Sequence, residues 1–232
     1  MAIDLNGQRI LVIGASGGIG RATADAFKGA GAYVVAAGRD AAKSAGLGSE
    51  AVVLDFLDEH AVETFFEKTA PFDHVVVAAA RTKSGPVGGL PLDVAKASME
   101  SKFWGAYRIA RSAKINEGGS LTFVSGFLSH RPSGGAVLQG AINAALEALA
   151  RGLALEKAPV RVNTVSPGLI DTPIWAGMAA ADREAMFERT AARLPARRVG
   201  QPEDVAAAIL FVATNRFATG STVTVDGGGT IA

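Results

Sequence analysis

Gly14-Ala15-Ser16-Gly17-Gly18-Ile19-Gly20 is the segment richest in chemistry: it directly follows the apolar run Arg9–Ile13 (RILVI) and opens a helical pattern. Glycines at that place let the backbone turn tightly and approach a pyrophosphate, which the helix N-terminus then holds. A glycine-rich turn alone is weak; the strand before it and the helix after it point to a dinucleotide. A second position is Ser125, in Phe123-Val124-Ser125-Gly126, where another apolar run ends. A serine at the carboxyl end of a parallel strand faces the ligand crevice and can hydrogen-bond a carbonyl oxygen, or it can simply satisfy its own turn. His130 and Arg131 follow in the same loop. Histidine titrates near neutrality and is a natural acid–base group, although a loop histidine can equally be a solvated one. His60 and His74 fall at the starts of a helical and a strand pattern, and read as structural.

These positions need a frame that brings strand ends together. Short apolar runs at Arg9–Ile13, Tyr33–Ala37, Ala51–Leu54, Asp73–Ala79, Ser120–Val124, Val160–Val165 and Thr222–Val225 predict strands. Between them, helical spacing predicts helices over Gly18–Ala30, Asp58–Thr69, Asp93–Ile115, Gly135–Lys157, Asp182–Arg193 and Pro202–Thr214. Strands separated by helices imply right-handed crossovers and a parallel sheet covered on both faces. No repeat or linker interrupts the pattern, so a single α/β domain over residues 1–232 is expected.

Composition narrows the function. The chain has 232 residues, 49% of them apolar, which suits a large buried core and excludes disorder. A formal net charge of +1 gives no electrostatic reason to expect nucleic acid or an anionic membrane as partner. The absence of cysteine removes disulfides, thiolate metal sites and cysteine nucleophiles. Wholly apolar stretches such as Val75–Ala80 are far short of the roughly 20 residues a membrane span needs, and Ile10–Ile13 is too short for a signal core. A soluble, cytoplasmic protein with a small-molecule substrate is expected, and no metal site is visible.

The glycine spacing at 14, 18 and 20 resembles that of the short-chain dehydrogenase/reductase family. Val162-Asn163-Thr164-Val165-Ser166-Pro167-Gly168, the stretch Arg198–Ala206 (RVGQPEDVA) and Thr219-Gly220 through Val225-Asp226-Gly227-Gly228 resemble further signatures of that family, in the same order. The resemblance covers nearly the whole chain. It implies a doubly wound, seven-stranded Rossmann-type sheet and a nicotinamide cofactor held by Gly14, Ser16, Gly18, Ile19 and Gly20. It also implies that Asp55 meets the adenine and Thr172 the carboxamide, although Asp55 could simply cap the turn that follows. The segment Arg39–Glu50 is shorter than usual, so the second crossover helix is expected to be a stub. At the end of the second strand, where an acidic residue would mark NAD, the chain has Gly38 followed by Arg39. A guanidinium pairs with a phosphate and glycine leaves it room, which favours NADP(H) over NAD(H); a merely solvated Arg39 beside Asp40 is the alternative.

The chain also departs from the family's pattern. Ala78-Ala79-Ala80-Arg81 stands where the family has Asn-Asn-Ala-Gly. Ser125 matches the catalytic serine, but ungapped counting places Gln139 at the catalytic tyrosine and Asn143 at the lysine. The only tyrosines, Tyr33 and Tyr107, lie elsewhere. Gln139 cannot give up a proton. In Ser101-Lys102-Phe103-Trp104-Gly105, Lys102 occupies the place of the family's helix asparagine. Lysine and asparagine have thus traded helices, and Lys102, with Asn143 as its partner, is a candidate proton donor near Ser125. An outward-facing Lys102 on an ordinary amphipathic helix is the competing expectation.

Leu169–Met178 with Met186 and Phe187 reads as an apolar lid over substrate or as a docking face, while Arg183, Arg189, Arg193, Arg197 and Arg198 read as a solvated face. Ala141, Ala144, Ala145, Ala148 and Gly152 permit close helix approach, and the resemblance implies a homodimer or homotetramer through the helices over 93–115 and 135–157. Three readings stand: an NADP(H)-dependent oxidoreductase with a non-standard proton donor, a cofactor-binding protein without turnover that acts as sensor or assembly partner, and a non-redox enzyme on the same fold.

Overall fold

The computed structural model describes residues 3–232; Met1 and Ala2, part of the expected domain, lie outside it. Seven parallel strands form one sheet: β1 (Arg9–Ile13), β2 (Tyr33–Gly38), β3 (Glu50–Val53), β4 (Phe72–Val77), β5 (Ile115–Val124), β6 (Arg161–Pro167) and β7 (Thr222–Val225), in the order β3-β2-β1-β4-β5-β6-β7. The winding reverses between β1 and β4. Crossovers from these two strands leave in opposite directions, which opens a crevice at the strands' carboxyl ends.

The helices are α1 (Gly18–Gly29), α2 (Ala41–Ser44), α3 (Glu59–Lys68), α4 (Leu92–Met99), α5 (Gly105–Ser112), α6 (Val137–Glu156), α7 (Ala180–Arg193) and α8 (Pro202–Thr214). β1 shows why residues Ile10–Ile13 are uniformly apolar. Leu11 and Ile13 pack with Phe66, Ile109 and Leu146 on one face, and Ile10 and Val12 with Phe27, Ile209 and Val212 on the other. Alternate side chains point to opposite faces, and both faces are covered, so no position is left for a polar residue. Fully burying each of Phe27, Phe66, Phe72 and Phe123 stabilises the fold by about 1.5–3 kcal/mol relative to exposure.

Two expected elements differ. The helix expected over Asp93–Ile115 ends at Ser112 and is interrupted by a π-helical turn, Glu100–Trp104, between α4 and α5. A π-turn inserts a residue into the helical repeat and changes which side chains face inward. Helical periodicity hides such an insertion because both sides of it remain regular. β5 begins at Ile115 rather than Ser120, through Asn116-Glu117-Gly118-Gly119, with a register shift opposite Phe72 and His74. Those are turn residues, and Gly118 has φ +75°, so the irregular start of the strand does not look like one. α2 is the expected stub of one turn.

Candidate active site

The crevice is first shaped by glycines. Gly14 leaves β1 with φ +88°, and a Cβ there would lie 2.7 Å from the backbone nitrogen of Ala79 at the end of β4. A Cβ on Gly20 would stand 2.0 Å from Gly14 O, so α1 can approach β1 only with glycine at that position. The first turn of α1 has no side-chain cap on Gly17 and no acidic residue. Its N–H groups, and the positive end of its dipole, are therefore available to an anion. Thr172 closes the cradle from the other side: a Cβ on Gly18 would meet Thr172 Cβ at 2.9 Å. These features fit a dinucleotide pyrophosphate. Ser16 lines a hollow together with Arg21 and Lys43.

Arg39 is exposed at the end of β2. Its neighbour Asp40 is spent on its own helix, where Asp40 Oδ1 accepts from the backbone nitrogens of Ala42 (3.0 Å) and Lys43 (3.4 Å) at the start of α2. Asp55 Oδ1 accepts from Leu57 N at 3.1 Å and so caps the turn after β3, leaving its second oxygen toward other partners.

Behind Ser125 lies the chemical centre. The π-turn carries Lys102 inward, across the crevice from α6. Lys102 Nζ donates to Ser125 O at 2.6 Å and to Asn143 Oδ1 at 2.7 Å. Gly126 makes the Asn143 contact possible, because a Cβ there would lie 2.7 Å from Asn143 Nδ2. Burial lowers the Lys102 pKa from its usual value to about 8, against the opposing charge of Glu147, which raises it. An amine tuned there is near the range useful for proton transfer at neutral pH. Lys102, Ser125 and Asn143 are thus brought together, and Lys102 does not lie on the outer helix face.

Gln139 takes part differently. Its amide is held by Thr82 and Ser84 of the loop after β4: Gln139 Nε2 donates to Thr82 Oγ1, and Gln139 Oε1 accepts from Ser84 Oγ. Bracing of the chain from Arg81 to Lys83 comes from Ser98 and Ser101 on the broken helix. Ser101 Oγ accepts from Arg81 N at 2.6 Å, and Ser98 Oγ from Lys83 N at 3.0 Å.

Sequence reasoning missed Glu147. It lies on α6 four residues beyond Asn143 and is buried, with 3% of its surface exposed. Ser125 Oγ donates to its Oε1 at 2.9 Å and Ser129 Oγ at 2.7 Å, while His130 Nε2 stands 3.2 Å from its Oε2. A signal was present. Gln139, Asn143 and Glu147 share one helical face at i, i+4 and i+8, and Glu147 is the only charged residue between Gly135 and Ala150. Arg131, in the same loop as His130, donates from Nη1 to Gly229 O at 2.6 Å.

A cleft of about 530 Å³ opens beside this cluster, walled by Phe127, Leu128, Pro132, Leu169 and Leu194, with Arg131 and Arg193 at its polar side. The expected lid contributes Leu169. Trp175 is instead tied to the loop, its indole N–H donating to Ile170 O at 2.9 Å, and Ile174 is exposed. The arginine face is solvated as expected at Arg189, Arg193, Arg197 and Arg198, and Arg183 is half-buried. Arg193 lines the cleft, and Arg198 makes a two-pronged pair with Asp204 at 2.6 and 2.7 Å. Among the described residues no cluster of His, Cys, Asp or Glu could hold a metal, and no helix is long and apolar enough to cross a membrane.

Comparison with known proteins agrees with this frame. A family model described as enoyl-(acyl carrier protein) reductase matches residues 14–230. L-xylulose reductase of Mus musculus is 34% identical over 98% of both chains. A small-chain dehydrogenase solved in complex with NADPH superposes with a TM-score of 0.87 at 35% identity, over 99% of this chain and 100% of its own. An NADPH-bound short chain oxidoreductase from Pseudomonas aeruginosa PAO1, described as containing an atypical catalytic center, superposes with a TM-score of 0.89 at 28% identity, over 97% of both chains.

Proposed function

We propose, from the premise that the chain belongs to the short-chain dehydrogenase/reductase family, that it is an NADP(H)-dependent oxidoreductase that interconverts a carbonyl and an alcohol with Lys102 as the proton-transferring group. The observation that carries this reading is the inward Lys102 ammonium, held by Ser125 O and Asn143 Oδ1 and lowered by burial to a pKa of about 8. The family's tyrosine and lysine positions hold Gln139 and Asn143, so the donor has moved to the neighbouring helix. Two of the three ammonium protons are committed to protein acceptors, and the third is left for the crevice.

The glycine cradle and the uncapped start of α1 fit the cofactor's pyrophosphate through Gly14, Gly18, Ile19 and Gly20, with Thr172 closing over it and Asp55 toward the adenine. Ser16 and Arg39 would meet the 2′-phosphate, a preference for NADP(H) that the NADPH complexes of similar chains support. When bound, the cofactor supplies or accepts the hydride. The protein holds the reacting oxygen beside Ser125, keeps water out with the apolar cleft wall, and gives or takes the proton at Lys102 Nζ. A relative named L-xylulose reductase makes polyhydroxy ketones the first substrates to try.

A second reading, cofactor binding without turnover, draws on Gln139, whose amide is held by Thr82 and Ser84 and has no proton to lose. Incubating the protein with NADPH and a panel of ketoses and other carbonyls separates the two. Oxidation of the cofactor supports the oxidoreductase; fluorescence-detected binding with no oxidation supports the sensor. We further propose a cytoplasmic homodimer or homotetramer paired through α5 and α6, because Trp104 and Tyr107 are exposed beside the alanine-rich α6.

A further inference from the structure

Glu147 is a buried carboxylate behind Ser125 for which the proposed reaction has no use. Its two oxygens have different partners. Oε1 takes the hydroxyls of Ser125 and Ser129, and Oε2 faces His130, whose side chain is 52% exposed and closes the outer side. A hydroxyl has one proton. While Glu147 is ionised, the Ser125 proton is committed to it at 2.9 Å rather than to Val165 O, the more distant acceptor at 3.4 Å, and Ser125 Oγ has only lone pairs left for a further partner. The other charged group facing Glu147 is Lys102, from the π-turn. Asn143, one turn back on the same helix, is neutral, and Arg131 is drawn away to Gly229 O.

We propose that Glu147 is a positioning residue that sets the polarity of the site: it turns Ser125 into a hydrogen-bond acceptor toward the crevice and places a negative charge behind Lys102, so that the group seated between Ser125 and Lys102 is a hydroxyl. A hydroxyl donates to Ser125 Oγ and accepts from Lys102 Nζ. A carbonyl oxygen only accepts, and would set its lone pairs against those of Ser125. The resting site is therefore matched to the alcohol form of the substrate. This rests on the reading of Lys102 as the proton-transferring group.

The first test needs no cofactor. Titrating lysine side chains by NMR, with Lys102→Met identifying the Lys102 signal, should give a midpoint of about 8 in the unmodified protein. Glu147→Gln should lower that midpoint by about one unit, and Glu147→Asp, which keeps the charge, should restore it. A midpoint unmoved by Glu147→Gln overturns the proposal. In dead-end complexes, which do not turn over, the amide that Glu147→Gln introduces can donate to Ser125 and reverse it, so the ratio of the affinity for alcohol (with NADPH) to that for carbonyl (with NADP+) should fall about tenfold; an unchanged ratio also overturns it. If Glu147→Gln does not fold, the unmodified protein decides. Its three histidines are resolvable in long-range nitrogen spectra. The neutral His130 ring should carry its proton on Nε2, donating to Glu147. A proton on Nδ1 would leave a bare nitrogen against the carboxylate, which requires a protonated Glu147 and sinks the idea. A Lys102→Met enzyme with full turnover would overturn the donor assignment instead, so the two failures are distinguishable.

Discussion

Replacing Lys102 with methionine has a consequence for stability that needs no substrate. The unfolded lysine keeps its proton to its ordinary value of 10.5, whereas the folded one loses it at about 8, because burial penalises the ammonium. Between those values the unfolded chain binds more protons than the native one. The contribution of Lys102 to stability therefore rises with pH across that window, by about 1.4 kcal/mol per unit and about 3 kcal/mol in all. Below pH 8 both states are charged and the burial cost is felt in full. Methionine has similar bulk and no charge, so Lys102→Met should be free of this slope. Urea unfolding of both proteins at intervals from about pH 7 to 10.5 gives the difference directly, and taking the difference removes other alkaline titrations. The unmodified protein should gain on the variant as pH rises. Parallel curves would show that the ammonium is solvated and would refute the reasoning.

Other groups give shorter tests. Arg39→Ala should weaken NADPH binding by about tenfold to a hundredfold and leave NADH nearly unchanged, as loss of one charge-assisted phosphate contact does; equal losses in fluorescence titrations would remove Arg39 from the phosphate site. His74 is buried between Ser120 and Gln8, and desolvation first, then the Arg161 charge, lowers its pKa to about 4. It is neutral in the fold, so stability present above pH 6.5 should fall by about 1.4 kcal/mol per unit from there to about pH 4. His74→Gln should flatten that part of the curve in acid melts. Trp104 sits edge-on between Phe103 and Tyr107 on an exposed face, and Trp104→Glu should turn the proposed dimer into monomer in sedimentation at micromolar concentration.

The frame was legible because its signals are local. RILVI could be buried on both faces and little else, and the glycines at 14, 18 and 20 carry their own steric reason. The short Arg39–Glu50 segment announced a one-turn helix. What was not legible depended on contacts between distant segments. The π-turn at Glu100–Trp104 leaves the periodicity on either side intact, yet it turns Lys102 inward. The irregular start of β5 is written in turn residues that only the neighbouring Phe72 makes a strand. Glu147 stood in plain view on an alanine-rich helix, but its meaning came from Ser125, Ser129 and His130 on a different loop. The same holds for Ser98 and Ser101, which accept from the backbone of Lys83 and Arg81 in the loop after β4.

The most direct measurement compares the unmodified protein with Lys102→Met in a stopped-flow record of NADPH oxidation, using a ketose or other carbonyl found active, alongside fluorescence titration of NADPH binding. The account predicts that both proteins bind NADPH alike, and that the hydride-transfer rate of the variant is lower by about 10²–10⁴-fold, the usual worth of a positioned proton donor. Equal rates in the two proteins, or NADPH bound by the unmodified protein and never consumed, would contradict it.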